Sequence, residues 1–255
     1  MASIRVFKDP TAVATAAADL IVAAAAKRAA AGQNVTLVLS GGSTPKLLFQ
    51  LLAAEPYRSR VDWSKVEIFF GDERCVPPDH ADSNFKMASE ALLSKVVLNP
   101  AHVHRMRGEI DPNQAAIEYG RMLKARFGDT GGPDVTLLGM GDDGHTASLF
   151  PHTPAIHETH HRCVAHYVEK STTGKSWRIT LTAPFFNRSA QVLPLVTGAS
   201  KADRLNEVIH GPRDVDRLPI QVIQPSPGEL IWMLDQAAAA KLPRTPDESL
   251  SDRHS

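Results

Sequence analysis

Short runs of β-forming residues alternate with helical segments along this chain, and this alternation limits its possible folds more than any other feature. Val35–Leu39 is apolar or β-branched at every position and Val66–Phe70 at all but one, which is typical of strands buried on both faces. Residues 134–138, Gln191–Val196 and residues 230–234 continue the series. Because parallel strands need a crossover between them, the pattern predicts an α/β fold with a mostly parallel sheet covered by helices on both faces.

Capping signals mark the helices. A residue that favours the N-cap precedes proline at Asp9–Pro10, Thr44–Pro45 and Asp111–Pro112, and each pair predicts a helix start. Gly32 and Gly128 suit the positions just after the first and the last of these helices. The predicted helices cover residues 10–31, 46–54, 82–93, 112–127 and 200–209, and Asp235 is expected to begin a closing helix.

Composition limits the partners and the location. Lys and Arg together number 28, as do Asp and Glu, so there is no basic excess and we expect no nucleic-acid partner. Asp19 interrupts the apolar stretch at residues 12–26, which is too short for a bilayer, so we expect no membrane span; a signal peptide is the alternative, with Asp19 against it. Two cysteines, Cys75 and Cys163, favour a reduced, cytoplasmic protein.

No repeat of fixed period and no long linker divides the chain. Apolar residues make up 43% of it, enough for a sizeable core, and residues 1–241 are expected to form a single α/β domain. Residues 242–255 are polar and contain proline, so we expect a flexible C-terminal tail. We expect a monomer or a weak homo-oligomer.

Glycines and hydroxyl residues follow the first buried strand, in the sequence Ser-Gly-Gly-Ser-Thr-Pro at residues 40–45. Ligands of open α/β sheets bind beyond the carboxyl ends of the strands. Gly41 and Gly42 let successive N–H groups point at one spot, and the helix that starts at Thr44 adds its positive dipole end. The segment predicts a phosphate or other anion site, with an ordinary tight turn as the alternative.

Three ionisable residues directly follow the second buried strand: Asp72, Glu73 and Arg74. Charged groups at such a position are costly unless they face a cleft. Arg74 would either pair with a neighbouring carboxylate or present its planar guanidinium to a phosphate or carboxylate ligand.

Two further cations stand at unusual positions. Arg178 opens an apolar strand, and Lys201 lies in the first turn of a predicted helix, where the helix dipole disfavours a cation. A bound anion would account for Lys201, and a solvated lysine is the alternative.

A Gly-x-Gly-x-x-Gly pattern at residues 139–144 follows the third buried strand. The pattern does not predict a dinucleotide site, because Asp142 and Asp143 would repel a pyrophosphate. The acidic residue expected about 20 positions later also does not fit, since Glu158 is too near and Glu169 too far. His145, which follows, can take a proton from water, and Asp143 can hold its other ring nitrogen. The pair predicts general-base catalysis.

Five histidines lie between residues 152 and 166, which raises the question of a metal site. The chain has no His-Glu-x-x-His motif and no cysteine at metal spacing, so we expect neither a metal nor another cofactor. It also has no Gly-x-Ser-x-Gly motif, which argues against a serine hydrolase.

Four blocks taken together resemble the 6-phosphogluconolactonase family: residues 40–45, 71–74, 141–151 and 178–182. They occur in order between about Phe7 and Ala240, and His-Thr-Ala-Ser-Leu-Phe-Pro at residues 145–151 is the most specific of them. The resemblance implies a Rossmann-like three-layer sandwich related to glucosamine-6-phosphate deaminases. It also implies hydrolysis of 6-phospho-D-glucono-1,5-lactone to 6-phosphogluconate in the oxidative pentose phosphate pathway, without metal or cofactor.

The resemblance also implies roles for particular residues. His145 would be the base that activates water, and Asp143 would orient it. The sugar phosphate pocket would be lined by Gly42, Ser43, Thr44, Asp72, Arg74, Arg178 and Lys201. Cys75 departs from the family, in which a bulkier residue is usual.

Two alternatives remain. A glucosamine-6-phosphate deaminase-like isomerase would carry a longer segment with a glutamate after the histidine, whereas Thr146 to Pro151 stands here without one. A non-catalytic sugar-phosphate sensor could use the same pocket, although the presence of Asp143 and His145 argues against it.

Overall fold

The computed structural model describes residues 2–169 and 176–243. The helices in this part of the chain are α1 (Pro10–Ala30), α2 (Ser43–Leu52), α3 (Asn84–Ala91), α4 (Pro112–Phe127), α5 (Ala183–Phe186) and α6 (Ala202–His210). The strands are β1 (Ala2–Phe7), β2 (Val35–Leu39), β3 (Val66–Phe70), β4 (Asp72–Arg74), β5 (Val135–Leu138), β6 (Cys163–Val168), β7 (Ser176–Leu181), β8 (Gln191–Val196) and β9 (Glu229–Asp235).

The larger sheet has the strand order β1-β9-β8-β5-β2-β3 among the described residues, and all neighbours in it are parallel. Its two faces are both covered. In β2, Leu37 and Leu39 join a core cluster with residues of α1, α2 and α3, whereas Val38 joins a second cluster with residues of α4 and α6. This confirms the predicted α/β fold with a mostly parallel sheet between layers of helices.

A second, antiparallel sheet has the order β4-β7-β6. Sequence reasoning assigned no strand to Asp72–Arg74, because three charged residues lack the apolar pattern of a strand. They become β4 by pairing with β7, a partner far along the chain, with Asp72 opposite Thr180. This sheet packs against α4 on one side of the larger sheet.

Two of the predicted helix starts are confirmed. The carboxylate of Asp9 accepts a hydrogen bond from the N–H of Ala12 at 2.8 Å, and that of Asp111 accepts one from Gln114 at 2.9 Å. Each satisfies a backbone donor of the first turn that has no partner within the helix.

Two other predictions at helix starts are wrong. α2 begins at Ser43 with Gly42 as its N-cap, so Thr44 lies inside the first turn. Asp235 belongs to β9, and turns rather than a helix follow it within the described residues. Its carboxylate accepts from the N–H of Gly198 on a neighbouring loop as well as from that of Ala238. At Asp235, the bond to Gly198 is a contact 37 positions away along the chain, which the local sequence does not reveal.

The prediction that the early apolar stretch is too short to cross a membrane is wrong, because this stretch belongs to the longer helix α1. The helix has 21 residues and is apolar enough, by length and composition, to cross one. One face of it is nevertheless buried in the core of this structure, through Val13, Ala14, Ala17, Ala18 and Ile21.

Of the predicted tail, only residues 242–243 belong to the described residues, and Leu242 packs against the core. The tail beyond them lies outside the described residues. The domain boundary stays a prediction.

The parallel order brings four strand ends together. β8, β5, β2 and β3 are successive neighbours, so their carboxyl ends lie side by side at one edge of the sheet. Leu39 at the end of β2 is opposite Phe70 at the end of β3, and Leu138 of β5 is opposite Pro194 of β8. The segments after these strands therefore share that edge, the usual place for ligands in such sheets.

Candidate active site

A cleft of about 240 Å³ opens at the carboxyl ends of these four strands. Its walls come from the segments that follow β2, β3, β5 and β8, together with the first residue of α3. Most of the predicted site residues line it: Gly42, Ser43, Thr44, Asp72, Arg74, His145 and Lys201. Asp143 and Arg178 are not part of the lining.

The first turn of α2 faces the cleft without a cap. Gly42 occupies the N-cap position with a φ of 105°, which favours glycine, and within the described residues no side chain caps the backbone N–H groups of the turn. The N–H groups of the first turn and the positive end of the helix dipole are therefore open to a ligand. The hydroxyl oxygens of Thr44 and Thr197 are 2.8 Å apart, which ties α2 to the end of β8. This geometry suits an anion.

The loop after β5 is a closed turn. The N–H of Gly141 donates to the carbonyl of His145 at 2.9 Å, and the hydroxyl of Thr146 donates to the carbonyl of Gly139 at 2.8 Å. The imidazole of His145 lies so close to Gly141 that a Cβ added there would overlap the ring. The turn therefore fixes where the ring sits.

Asp143 holds the imidazole of His145 from behind. Its Oδ1 accepts from the ring Nδ1–H at 2.6 Å and from the backbone N–H of the same residue at 3.0 Å. The ring also stacks on Phe150, with the ring centroids 4.2 Å apart. With Nδ1 donating to the carboxylate, the lone pair of the neutral ring lies on Nε2, which has no hydrogen-bond partner among the described residues.

Asp143 is ionised near neutral pH. Burial of its carboxyl opposes ionisation, but the hydrogen bonds and charge of His145 outweigh it and hold the pKa of Asp143 below its ordinary value. A carboxylate at this position fixes the tautomer of the ring and stabilises the imidazolium that forms when Nε2 takes a proton.

Asp72 is a buried carboxylate in the wall of the cleft. Its Oδ1 accepts from the amide of Asn84 at 3.1 Å, and its Oδ2 accepts from the hydroxyl of Ser148 at 2.7 Å. Asn84 also donates to the backbone carbonyl of Asp72 at 3.0 Å. A carboxylate can accept about four hydrogen bonds, so capacity remains for a ligand hydroxyl.

Glu73 anchors the helix that carries Asn84. Its carboxylate accepts from the N–H groups of Arg74 (2.9 Å), Asn84 (2.7 Å) and Phe85 (2.8 Å), and from the hydroxyl of Ser83 (3.0 Å). Burial raises the pKa of Glu73, and the backbone N–H groups oppose that rise without cancelling it. Glu73 thus fixes the start of α3 at the cleft.

Two arginines lie on neighbouring strands at different depths. Arg74 lines the cleft and donates to the carbonyl of Asp82 at 2.6 Å. Arg178 is opposite Arg74 in the pairing of β4 and β7 and is only 3% exposed, so it lies behind the wall rather than in the lining that the sequence suggested. Burial and the charge of Arg74 both lower the pKa of Arg178.

Lys201 forms an ion pair with a carboxylate of the same chain, that of Asp142. It is the N-cap residue of α6, and its Nζ lies 2.6 Å from Oδ1 of Asp142. The backbone carbonyl of Asp142 is held by Nε of Arg204 at 3.0 Å. The Asp142 side chain is 68% exposed, and such pairs contribute about 0–1 kcal/mol, so a ligand anion can displace it. The sequence suggested a bound anion or solvent at Lys201, and the structure places Asp142 there.

Sequence reasoning missed two polar residues of the lining, Asn84 and Thr197. Thr197 directly follows β8, so applying the strand-end rule to that strand would have identified it. Asn84 carries no such signal, because it follows the helix N-cap Ser83 in a stretch with no neighbouring strand end.

The histidine-rich segment does not form a metal site in the described ranges 2–169 and 176–243, where no group of three or more metal-ligating side chains comes together. His157 pairs with Asp216, and His161 with Glu158. Cys75 is half-buried, and burial raises the pKa of its thiol to about 11, so the thiol is protonated near neutral pH.

The sequence of this chain is similar to those of a known protein family. A sequence model described as glucosamine-6-phosphate isomerases/6-phosphogluconolactonase matches residues 8–232. A protein named 6-phosphogluconolactonase from Synechocystis sp. is 42% identical over 212 residues, which cover 81% of this chain and 84% of that protein.

Solved structures agree with this relationship. The structure of 6-phosphogluconolactonase from Trypanosoma brucei superposes with a TM-score of 0.83 at 27% identity, over 95% of this chain and 99% of that one. A monomeric glucosamine-6-phosphate deaminase superposes with a TM-score of 0.80 at 16% identity, over 94% and 99% of the two chains, which shows a shared fold alone.

Replacing Glu73 with alanine would leave four donors without their acceptor in a buried place. We expect Glu73→Ala to lower the free energy of unfolding by about 2–4 kcal/mol, measured by urea denaturation. Glu55→Ala is the control, because the Glu55 carboxylate bonds to Arg58 on the exposed surface, and its unfolding midpoint should not change. Equal stability of the two variants would contradict the anchoring role of Glu73.

Proposed function

We propose that this chain, which belongs to the glucosamine-6-phosphate isomerase/6-phosphogluconolactonase family, hydrolyses 6-phospho-D-glucono-1,5-lactone to 6-phosphogluconate in the oxidative pentose phosphate pathway. One structural observation supports the proposal in addition to the family relationship. The cleft combines an imidazole held by a carboxylate with an open helix N-terminus and a lysine, so it offers a base and an anion site together.

The phosphate of the substrate binds at the first turn of α2 and at Lys201. The turn supplies N–H donors and the hydroxyls of Ser43 and Thr44, and Lys201 supplies a full positive charge once Asp142 is displaced. Arg74 adds a second cation at the wall, and Arg178 adds charge from behind it. Asp72 accepts hydrogen bonds from the sugar hydroxyls.

His145 activates the water. Its Nε2 takes a proton from water while the oxygen attacks the lactone carbonyl, and the imidazolium is stabilised by the ionised Asp143. When the tetrahedral intermediate collapses, the bond from the carbonyl carbon to the ring oxygen breaks. The Nε2–H then returns its proton to that oxygen, which becomes a hydroxyl, and the new acid ionises to the carboxylate.

The rate advantage comes mainly from placement. A δ-lactone is an activated ester, so a phosphate held at one end of the cleft and a base at the other convert binding energy into orientation. General-base assistance adds roughly 10²–10⁴-fold.

We infer that the enzyme is cytoplasmic and acts on a small sugar phosphate as a monomer or weak homo-oligomer. It has neither a nucleic-acid partner nor a membrane partner in this proposal. The free thiols of Cys75 and Cys163 suit a reducing compartment.

Loss of the base tests the mechanism directly. We expect His145→Ala to lower kcat for lactone hydrolysis by about 10²–10⁴-fold, measured above the spontaneous opening of the lactone. His157→Ala is a matched control, because His157 lies 2.7 Å from the carboxylate of Asp216 but outside the cleft, and it should keep wild-type activity. Activity of His145→Ala within a few-fold of wild type would remove His145 from this role.

The same assays separate the alternative functions. Ammonia release from glucosamine 6-phosphate would favour a deaminase. A thermal shift with 6-phosphogluconate in a protein that does not turn over the lactone would favour a sensor.

Placement of the ring can be tested while the imidazole is kept. A Cβ at Gly141 would overlap Nδ1 and Cε1 of His145, so the ring must move in Gly141→Ala, and kcat should fall at least about 10-fold. Gly120→Ala in α4 is the control, because an added Cβ there would lie 4.0 Å from its nearest neighbour, Cys163. Equal kcat values for the two variants would show that ring placement does not limit the rate.

The positive charge of Lys201 should affect mainly the binding of the substrate phosphate. We expect Lys201→Ala to raise KM more than it lowers kcat, because phosphate is held alike in the ground and transition states. Asp142→Asn should lower KM, since it removes the competing carboxylate. Lys241→Ala should change neither constant, because Lys241 pairs with Asp203 away from the cleft. A fall in kcat at constant KM for Lys201→Ala would place Lys201 beside the carbonyl instead.

A further inference from the structure

Ser148 is buried where the segment that carries His145 meets the smaller sheet, and only 1% of it is exposed. Its hydroxyl donates to Oδ2 of Asp72 at 2.7 Å, and its carbonyl accepts from Nε2–H of His166 at 2.6 Å. Its N–H donates to the hydroxyl oxygen of Thr180 at 3.4 Å, a longer and weaker bond. Each polar group of Ser148 therefore has a partner.

These partners come from three different strands. Asp72 belongs to β4, Thr180 to β7 and His166 to β6. Asp72 is directly opposite Thr180, and His166 is opposite Arg178, two positions before Thr180. Because residues two apart on a strand share a face, all three partners lie on one face of the smaller sheet. Ser148 thus joins the segment after β5 to every strand of that sheet within the described residues.

His166 is a fixed donor in this arrangement. Its Nδ1 is buried and has no hydrogen-bond partner in the described part of the chain, so the only bond its ring makes there is the one to Ser148. Burial lowers the pKa of His166 and outweighs the bond to the Ser148 carbonyl, which raises it, so the ring is mainly neutral near pH 7. Nothing in the reaction itself calls for this histidine.

We propose that Ser148 is a positioning residue for His145. By bonding to one residue of each strand of the smaller sheet, it fixes the base-bearing segment 139–151 relative to Asp72 in the cleft. The inference rests on the proposed role of His145 as the base. The first turn of α2 and Lys201, to which the phosphate is mainly assigned, lie outside segment 139–151, and the pairing of β4 with β7 that carries Arg74 and Arg178 is made by the backbone, without Ser148. Loss of Ser148 should therefore displace the imidazole and leave anion binding in place.

The experiment compares Ser148→Ala with Ser189→Ala. Ser189 is also fully buried, and its hydroxyl is 2.8 Å from that of Thr136, so the control loses a similar hydrogen bond outside the cleft. We measure kcat and KM for the lactone, the affinity for inorganic phosphate by calorimetry, and the downfield proton resonance of the Nδ1–H of His145. Asp143→Asn identifies that resonance, because it replaces the charged acceptor with a neutral amide oxygen and so shifts the resonance.

We expect kcat of Ser148→Ala to fall about 10- to 100-fold, since small displacements of a catalytic group have effects of this size. KM and the phosphate affinity should stay within about twofold, as expected for groups that act only on the chemical step. The Nδ1–H resonance should shift or broaden. Ser189→Ala should keep the wild-type kcat and resonance.

Three results would overturn the proposal. One is an unchanged kcat and resonance in Ser148→Ala. Another is a raised KM with normal kcat, which would assign Ser148 to binding. The third is an equal loss of kcat in Ser189→Ala, which would indicate a general effect of stability. If the wild-type protein does not hydrolyse the lactone, the proposed function fails, while the resonance still tests the positioning.

A second pair of variants covers the case in which Ser148→Ala does not fold. His166→Leu removes the donor to the Ser148 carbonyl, whereas His166→Gln can still donate from its amide. We expect kcat to fall in His166→Leu and to recover at least in part in His166→Gln, with KM unchanged in both. Equal kcat values in the two variants would contradict the proposal.

Discussion

Parallel pairing of β8, β5, β2 and β3 is the constraint on which the site depends. Parallel strands all end at the same edge of the sheet, so the loops that follow them meet there, and the helices that follow two of them begin there. The helices α2 and α6 therefore direct their positive ends towards one cleft. A chain with equal numbers of acidic and basic residues thereby acquires a local arrangement that suits an anion.

Buried polar side chains make this edge rigid. Glu73 accepts from two backbone N–H groups at the start of α3 and from that of Arg74 in β4. Asp72 links Asn84 with Ser148. Each of these carboxylates would be costly in the interior without its donors, so the loops are held in the arrangement that supplies them. The same bonds that stabilise the fold therefore set the distances between the imidazole of His145 and the other groups of the cleft.

Three pairs of ionisable groups lie around the cleft among the described residues, and the position of each pair relative to the cleft determines what it does. Asp143 lies behind His145 and fixes its tautomer. Arg178 lies behind Arg74, and although the two like charges repel each other, both add to the positive potential at the wall. Asp142 reaches Lys201 from the exposed side, where a ligand can displace it. Two neighbouring aspartates in the sequence therefore have opposite relations to the ligand, because one faces the ring and the other faces the lysine.

The sequence by itself determined the features that depend on neighbours a few residues apart. Apolar runs marked the central strands, Asp9 and Asp111 marked two helix starts, and the spacing of two residues brought Asp143 to His145. The tertiary structure decided what depends on distant partners: Asp72–Arg74 became a strand only through β7, Arg178 went behind the wall, and Asn84 entered the cleft through Glu73. Lys201 met Asp142 across 59 positions of the chain. Local hydrogen bonds and backbone sterics depend on short stretches of sequence. The contacts between distant residues, in contrast, exist only once the apolar faces of the sheet and the helices have packed.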